Sequence, residues 1–136
     1  MMQFNPHDAF ATAHDRKMVQ GQLGYYRGIT AENIAARRYV EDGYEILEER
    51  WRGRGGEIDL IFLQGDTFIF CEVKAARTVD AAISRLRPRQ IGRIHAAASE
   101  YLAKTPLGQL SNVRFDLAVV DGTGEAVILK NAYGHI

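Results

Sequence analysis

Cysteine is almost absent: Cys71 is the one thiol in 136 residues. No intrachain disulfide framework holds such a chain together. Cys71 lies among apolar neighbours and reads as a small buried hydrophobe rather than a nucleophile. Net charge is absent as well. Seventeen Lys and Arg balance seventeen Asp and Glu. No global field therefore draws in nucleic acid, and any such affinity must come from local clustering. No apolar run approaches the roughly 18 residues of a membrane helix, and the N-terminus lacks a hydrophobic signal core. The expectation is a soluble, cytoplasmic chain with no membrane partner. What is present suffices for a core: 46% of residues are hydrophobic and 25% charged. That balance suits one domain and speaks against general disorder.

The stretch from Gly56 to Lys74 organises the rest. Its two flanks are rich in Ile, Phe and Val, which suit a pleated, half-buried surface. Between them, Gly65-Asp66 is a two-residue turn of the Gly-X kind. A hairpin about that turn opposes Gln64 to Thr67, Phe62 to Ile69, Asp59 to Glu72 and Glu57 to Lys74. Opposed residues share a face, with Cβ atoms about 4.5–5.5 Å apart. Alternation then gathers Glu57, Asp59, Glu72 and Lys74 at the open end. The other face, with Ile58, Leu60, Phe62, Ile69, Cys71 and Val73, is apolar. Two opposed carboxylates repel, and one has its pKa raised. A hard divalent cation removes that penalty, since Mg²⁺ takes carboxylate oxygens and keeps waters for substrate phosphate. The competing reading is a Glu57–Lys74 cross-strand ion pair, with Asp59 at a wet strand end.

Residues 1–28 are polar, with poor apolar spacing, and read as a flexible or loosely attached segment ahead of a domain over 29–136. His7-Asp8 and His14-Asp15 recur there, and a tail explains them better than a metal site, because no rigid element fixes the ligands. Thr30 as N-cap and Gly43 as the residue past the C-terminus bound a helix over 31–42, carrying Ile34, Ala35, Tyr39 and Val40. Glu32 lies in its first turn, where an acid complements the helix dipole or else points at the hairpin cluster. Tyr44 to Glu48 reads as a strand. The following Arg50-Trp51-Arg52-Gly53-Arg54-Gly55-Gly56 reads as a phosphate-binding loop or a flexible connection with Trp51 tucked into the core.

After the hairpin, Lys74, Arg77, Arg85, Arg87, Arg89 and Arg93 put six basic groups in twenty residues against one acid, Asp80. This is a phosphate-binding surface or a solvated helix face. Pro88 opens a second helix with Ile91, Ile94, Ala98, Tyr101 and Leu102 at helical spacing, ending before Pro106. His95 reads as a core-edge histidine. Val113–Val120 and Ala126–Lys130 read as strands about an Asp121-Gly122-Thr123-Gly124 turn. The whole is an α/β domain around one sheet.

Ile58-Asp59, twelve residues, then Glu72-Val73-Lys74 resembles the PD-(D/E)-x-K motif of restriction-endonuclease-like nucleases, with Ile58 in place of the proline. More closely, the chain is similar to the YraN-like family of uncharacterised bacterial proteins. The similarity runs through Ala31-Glu32, Gly43-Tyr44-Glu45-Ile46-Leu47, Gly56-Glu57-Ile58-Asp59-Leu60-Ile61, Phe70-Cys71-Glu72-Val73-Lys74 and Arg114-Phe115-Asp116. It departs in two places. The family usually has Thr-Arg straight after the motif lysine, where this chain has Ala75-Ala76-Arg77, and a lysine where Gln90 stands. The resemblance implies a restriction-endonuclease-like mixed sheet flanked by helices, related in plan to Holliday-junction resolvases. It implies Asp59 and Glu72 as metal ligands, Lys74 as the residue that orients water, and Glu32 as a supporting acid.

The expected activity is hydrolysis of DNA phosphodiester bonds with Mg²⁺, or Mn²⁺ in its place. Arg77, Arg85, Arg87, Arg89 and Arg93, with Arg52 and Arg54, are the expected backbone contacts. Such contacts carry no sequence information, so the recognition expected is of DNA structure. Branched or recombination intermediates and a homodimeric assembly are further expectations. The alternative is a non-catalytic nucleic-acid-binding module on the same scaffold.

Overall fold

A computed structural model describes residues 30–134. The expected N-terminal segment, with His7, Asp8, His14 and Asp15, lies outside the described residues. Helix α1 (30–41) is followed by strands β1 (Glu45–Arg52), β2 (Glu57–Gln64) and β3 (Thr67–Ala75). Then come helices α2 (Val79–Ser84) and α3 (Pro88–Leu102), a short 3-10 turn (Gly108–Leu110), and strands β4 (Asn112–Val120) and β5 (Ala126–Leu129). The five strands form one sheet in the order β1-β2-β3-β4-β5. Only β3 and β4 run parallel; the other pairs are antiparallel. The parallel step needs a crossover, which α2 and α3 supply. This α/β architecture, a five-stranded mixed sheet with flanking helices, is consistent with a restriction-endonuclease-like fold.

The hairpin forms as its turn chemistry dictates. Gly65 has φ +60°, the left-handed value that the first position of a II′ turn requires. Gln64 pairs with Thr67 and Phe62 with Ile69. Alternation then sends Leu60, Phe62, Ile69 and Cys71 to one face of the sheet, under α1. Ile61 and Phe70 go to the other, under α3.

Helix α1 presents Ala31, Ala35 and Tyr39, spaced four apart, to the sheet. Tyr39 is 1% exposed whereas Val40, expected on the apolar stripe, is 50% exposed. Only one of two adjacent helical residues can face the sheet, and the larger ring takes that place. Thr30, expected as an N-cap, is already helical, so it sits within the first described turn rather than ahead of it. The C-terminal end is as expected. Gly43 has φ +92°, and the N–H groups of Gly43 and Tyr44 donate to Val40 O and Tyr39 O, each at 3.0 Å. That pair of bonds is a Schellman stop.

Strand β1 extends past the expected Glu48 to Arg52, because pairing with β2 holds Trp51 opposite Ile58 and Arg52 opposite Glu57. Trp51 is tucked in: its ring meets Tyr101 edge-on at 5.2 Å, and Lys104 Nζ lies 5.5 Å from its centre. The short helix α2 was not foreseen; its cap is local, with Thr78 Oγ1 accepting from Ala81 N–H at 3.0 Å. His95 sits at the core edge as expected, stacked on Phe115 with ring centres 4.2 Å apart.

One buried network ties the α1 layer to the sheet. Asp116 on β4 is fully buried. It accepts from Tyr39 OH at 2.7 Å, from Arg114 Nε and Nη2 at 2.8 Å each, and from Asn131 N–H at 2.9 Å. Tyr39 also stacks on Phe62, ring centres 4.1 Å apart. Replacing Tyr39 by Phe keeps that stacking and removes one bond to a buried carboxylate. The expected cost is about 1.5–3 kcal/mol. A denaturant titration of Tyr39→Phe that matched the wild type would show that the hydroxyl contributes nothing net.

Candidate functional site

The ladder between β2 and β3 runs from Gln64–Thr67 to Leu60–Cys71. One step further, side chain replaces backbone: Asp59 Oδ2 accepts the N–H of Val73 at 2.8 Å. The alternation of β2 also breaks here. Ile58 packs under α3 with Ile61, whereas Leu60 packs under α1. This corrects the expectation that Ile58 shares the face of Leu60. On β1, facing this break, Arg50 has φ +53°, an uncommon backbone state for a residue with a long side chain. Both strands thus bend out of regular pleating beside Asp59, and the expected clean Asp59–Glu72 strand pair is absent from the ladder.

The two carboxyls nevertheless meet. Glu72 is 6% exposed and Asp59 half-buried. Each lies in the field of the other, and the cause that raises both is burial. Burial is the main force raising Glu72, followed by the charge of Asp59, and together they push it from 4.5 to about 8. Burial also raises Asp59, against the neighbouring Glu72 carboxyl, the Val73 N–H and the charge of Lys74.

Lys74 lies on the same side. Its Nζ is 3.2 Å from Glu72 Oε2 and donates to Gln90 Oε1 at 3.2 Å. Gln90 Nε2 in turn donates to Glu72 Oε2. Amine, amide and carboxyl therefore close a three-membered ring of contacts. The competing Glu57–Lys74 pair does not form; Glu57 binds Arg52 instead, at 2.9 Å. Glu32, from α1, is held by Arg50 at 3.0 and 3.2 Å. Burial and the charge of Asp59 still raise it to about 7. Among the described residues no group of three or more His, Cys, Asp or Glu side chains gathers into a metal cluster. The donor set available to a cation is the pair Asp59 and Glu72. That suits Mg²⁺, which commonly takes one or two carboxylates and fills its shell with water and phosphate.

The arginines are spread around this centre. Gly56 packs against Arg93: a Cβ at Gly56 would lie 3.2 Å from the Cβ of Arg93. The Arg54 N–H donates to Glu100 on α3 at 2.8 Å. The loop that follows Arg52 and carries Arg54 is therefore docked on α3, beside Arg93, and does not hang free. Arg87, Arg89 and Arg93 are exposed along the start of α3. Arg85 donates to Ala75 O at 2.8 Å, so part of its guanidinium is spent on the end of β3. Arg77 is exposed and borders a cavity of about 580 Å³ beyond β3 and β4, with Ala31, Ile34, Val120 and Thr123. Two participants were not foreseen in their roles: Gln90, which joins Lys74 to Glu72, and Arg50, which holds Glu32. Sequence spacing marks neither, because each bridges elements far apart in the chain.

The raised carboxyls fix a pH dependence. Folded Glu72 keeps its proton up to about 8, whereas the unfolded group loses it near 4.5. Stability from this proton is full below about 4.5 and is lost as pH rises through about 8. In EDTA, the wild-type melting temperature should fall between these limits. Glu72→Gln should flatten the fall without abolishing it, since Glu32 contributes in the same direction. Parallel melting curves for the two proteins from pH 5 to 8.5 would contradict this.

Comparison with known proteins agrees with the blocks read from the sequence. The model of the family described as "Uncharacterised protein family UPF0102" matches residues 31–120, from α1 to the end of β4. A UPF0102 protein of Ruegeria pomeroyi is 49% identical over 116 residues, covering 85% of this chain and 94% of the relative. One from Cereibacter sphaeroides is 48% identical over 115 residues, with 85% and 98% covered. One from Dinoroseobacter shibae is 39% identical over 115 residues, with 85% and 86% covered. The matched span holds Glu32, Asp59, Glu72, Lys74 and Gln90. The chain belongs to the YraN-like proteins, uncharacterised protein family UPF0102.

Proposed function

We propose that this chain is a Mg²⁺-dependent nuclease, also served by Mn²⁺, that hydrolyses DNA phosphodiester bonds by structure rather than by base sequence. One observation carries the reading: Asp59 and Glu72 are pressed together beside Lys74 where β2 and β3 part. As a purely structural arrangement it is costly, since burial and mutual charge both oppose ionisation. As a cation site it would be useful, since Asp59 and Glu72, once ionised, would both be available to hold the ion. When bound, the cation relieves charge on the phosphate and makes water a better nucleophile.

The protein supplies the rest. The Asp59 carboxylate is oriented by the Val73 N–H and Glu72 by Gln90, so neither has to be ordered when substrate arrives. The ammonium of Lys74 has three N–H bonds, and its contacts to Glu72 and Gln90 occupy two. The third is available to hold water in line with the phosphorus and to offset negative charge in the transition state. Arg87, Arg89 and Arg93, with Arg52 at the end of β1 and Arg54 on the docked loop, supply phosphate contacts along the duplex; Arg77 and Arg85 lie beyond the end of β3. Phosphate contacts set register and not sequence.

A specific feature favours a second reading, a non-catalytic nucleic-acid-binding module. The ring of Lys74, Gln90 and Glu72 gives Glu72 partners without any metal ion. Cleavage assays on duplex, single-stranded, flap and four-way-junction DNA with Mg²⁺ separate the two. The nuclease reading expects cutting that falls about 100-fold or more in Asp59→Asn and in Lys74→Ala, with both variants folded. Folded variants that cut at the wild-type rate would place any activity elsewhere.

Cation binding has its own readout. At a hundredfold excess over Kd, Mg²⁺ should stabilise the native protein by about 2.7 kcal/mol. That is several degrees of melting temperature for a domain of this size. Asp59→Asn should cancel the shift. Absence of any shift with Mg²⁺ or Mn²⁺, even with DNA bound, favours the binding module.

A further inference from the structure

Gln90 is the third residue of α3, after Pro88 and Arg89. From that position a Gln side chain commonly folds back on its own helix start, to the N–H of the capping residue. Here its amide instead reaches β3. Oε1 accepts from Lys74 Nζ at 3.2 Å, and Nε2 donates to Glu72 Oε2. Each half of the amide has a different partner, and the partners need opposite chemistry: a cation needs the acceptor, a carboxyl needs the donor. The orientation of the amide is thereby set by both contacts together.

The helix behind it is firmly placed. Ile94, Ala97, Ala98 and Leu102 are buried against the sheet. Lys74, by contrast, sits near the end of β3 on a long, flexible stem, whose rotamers would otherwise scatter the amine. A rigid helix thus offers a fixed acceptor to a flexible base.

We infer that Gln90 is a positioning residue: it fixes the Lys74 ammonium relative to Glu72, so that the remaining N–H bond points at one place. This rests on the nuclease reading for its kinetic consequence but not for its structural one. Gln90 itself touches neither phosphate nor water in this scheme. Its effect passes through Lys74 and Glu72, and belongs on turnover rather than on DNA affinity.

The test uses the full chain and two substitutions. Gln90→Met removes both contacts at nearly constant size. Gln90→Glu keeps an acceptor opposite Lys74 and loses the donor to Glu72. The first readout needs no activity: the ¹⁵N resonance of the Lys74 ammonium, assigned by its loss in Lys74→Arg, in metal-free protein and with Mg²⁺. The wild type should show slow ammonium exchange compared with exposed Lys130. Gln90→Met should lose that protection, and Gln90→Glu should regain it.

The second readout is kinetic. With saturating Mg²⁺, Gln90→Met should lower kcat about 10–100-fold with KM for DNA unchanged. Protection of Lys74 retained in Gln90→Met, or absent from the wild type, overturns the inference whatever the kinetics. A wild-type protein that cuts no DNA sinks the nuclease reading instead, and the resonance still decides the role of Gln90.

Discussion

Asp59 accepts the N–H of Val73 at the point where the backbone ladder between β2 and β3 ends. Left without a partner, that donor would cost about 1–3 kcal/mol wherever water cannot reach it. A charged acceptor satisfies it and makes the stronger kind of hydrogen bond. The exchange of a backbone partner for a carboxylate lets the two strands part while remaining bonded. Everything in the candidate site follows from that parting. Asp59 and Glu72 can meet because the strands no longer pair between them, and Lys74 and Gln90 can approach Glu72 from the α3 side.

Two kinds of buried carboxylate coexist in this fold, and their surroundings separate their roles. Asp116 is surrounded by donors: Tyr39, Arg114 and the Asn131 N–H all point at it. Its charge is matched, and it locks α1, β4 and the segment after β5 together. Asp59 and Glu72 have one cation near them, Lys74, for two carboxyls. Their charge is under-matched, and burial raises both carboxyls. Under the proposed function, that deficit of positive charge is what a divalent cation would fill. Glu32 repeats the pattern in milder form, raised to about 7 although Arg50 binds it in two places.

The Gly-rich loop between β1 and β2 has a different logic from the one its composition suggests. Glycines beside arginines read as a pliable phosphate-binding loop. In the fold they are spacers: a Cβ at Gly55 would lie 3.0 Å from Ala96, and one at Gly56 would crowd Arg93. Absence of side chains lets the loop lie directly on α3, and Glu100 pins it through the Arg54 N–H. The arginines are thereby carried on a docked surface next to the site, which reduces the order that DNA binding would have to impose.

Local pattern was enough to read much of this molecule. Alternation marked the hairpin and its two faces, Gly65-Asp66 its turn, Gly43 the stop of α1, and Pro88 the start of α3. These signals act over a few residues, where sterics and hydrogen bonding are settled by the chain's own neighbours. The ordered blocks around Asp59, Glu72 and Lys74 likewise led to the family. Elsewhere local pattern misled. Ile58 left the face that alternation assigned it, and Val40 gave way to Tyr39. The amide of Gln90 between Lys74 and Glu72, and the grip of Arg50 on Glu32, have no signature in spacing. Each depends on how helix and strand come to rest against each other, and so do the burial and mutual charge that keep a proton on Glu72. Those are sums over the whole packed domain, which no stretch of a few residues contains.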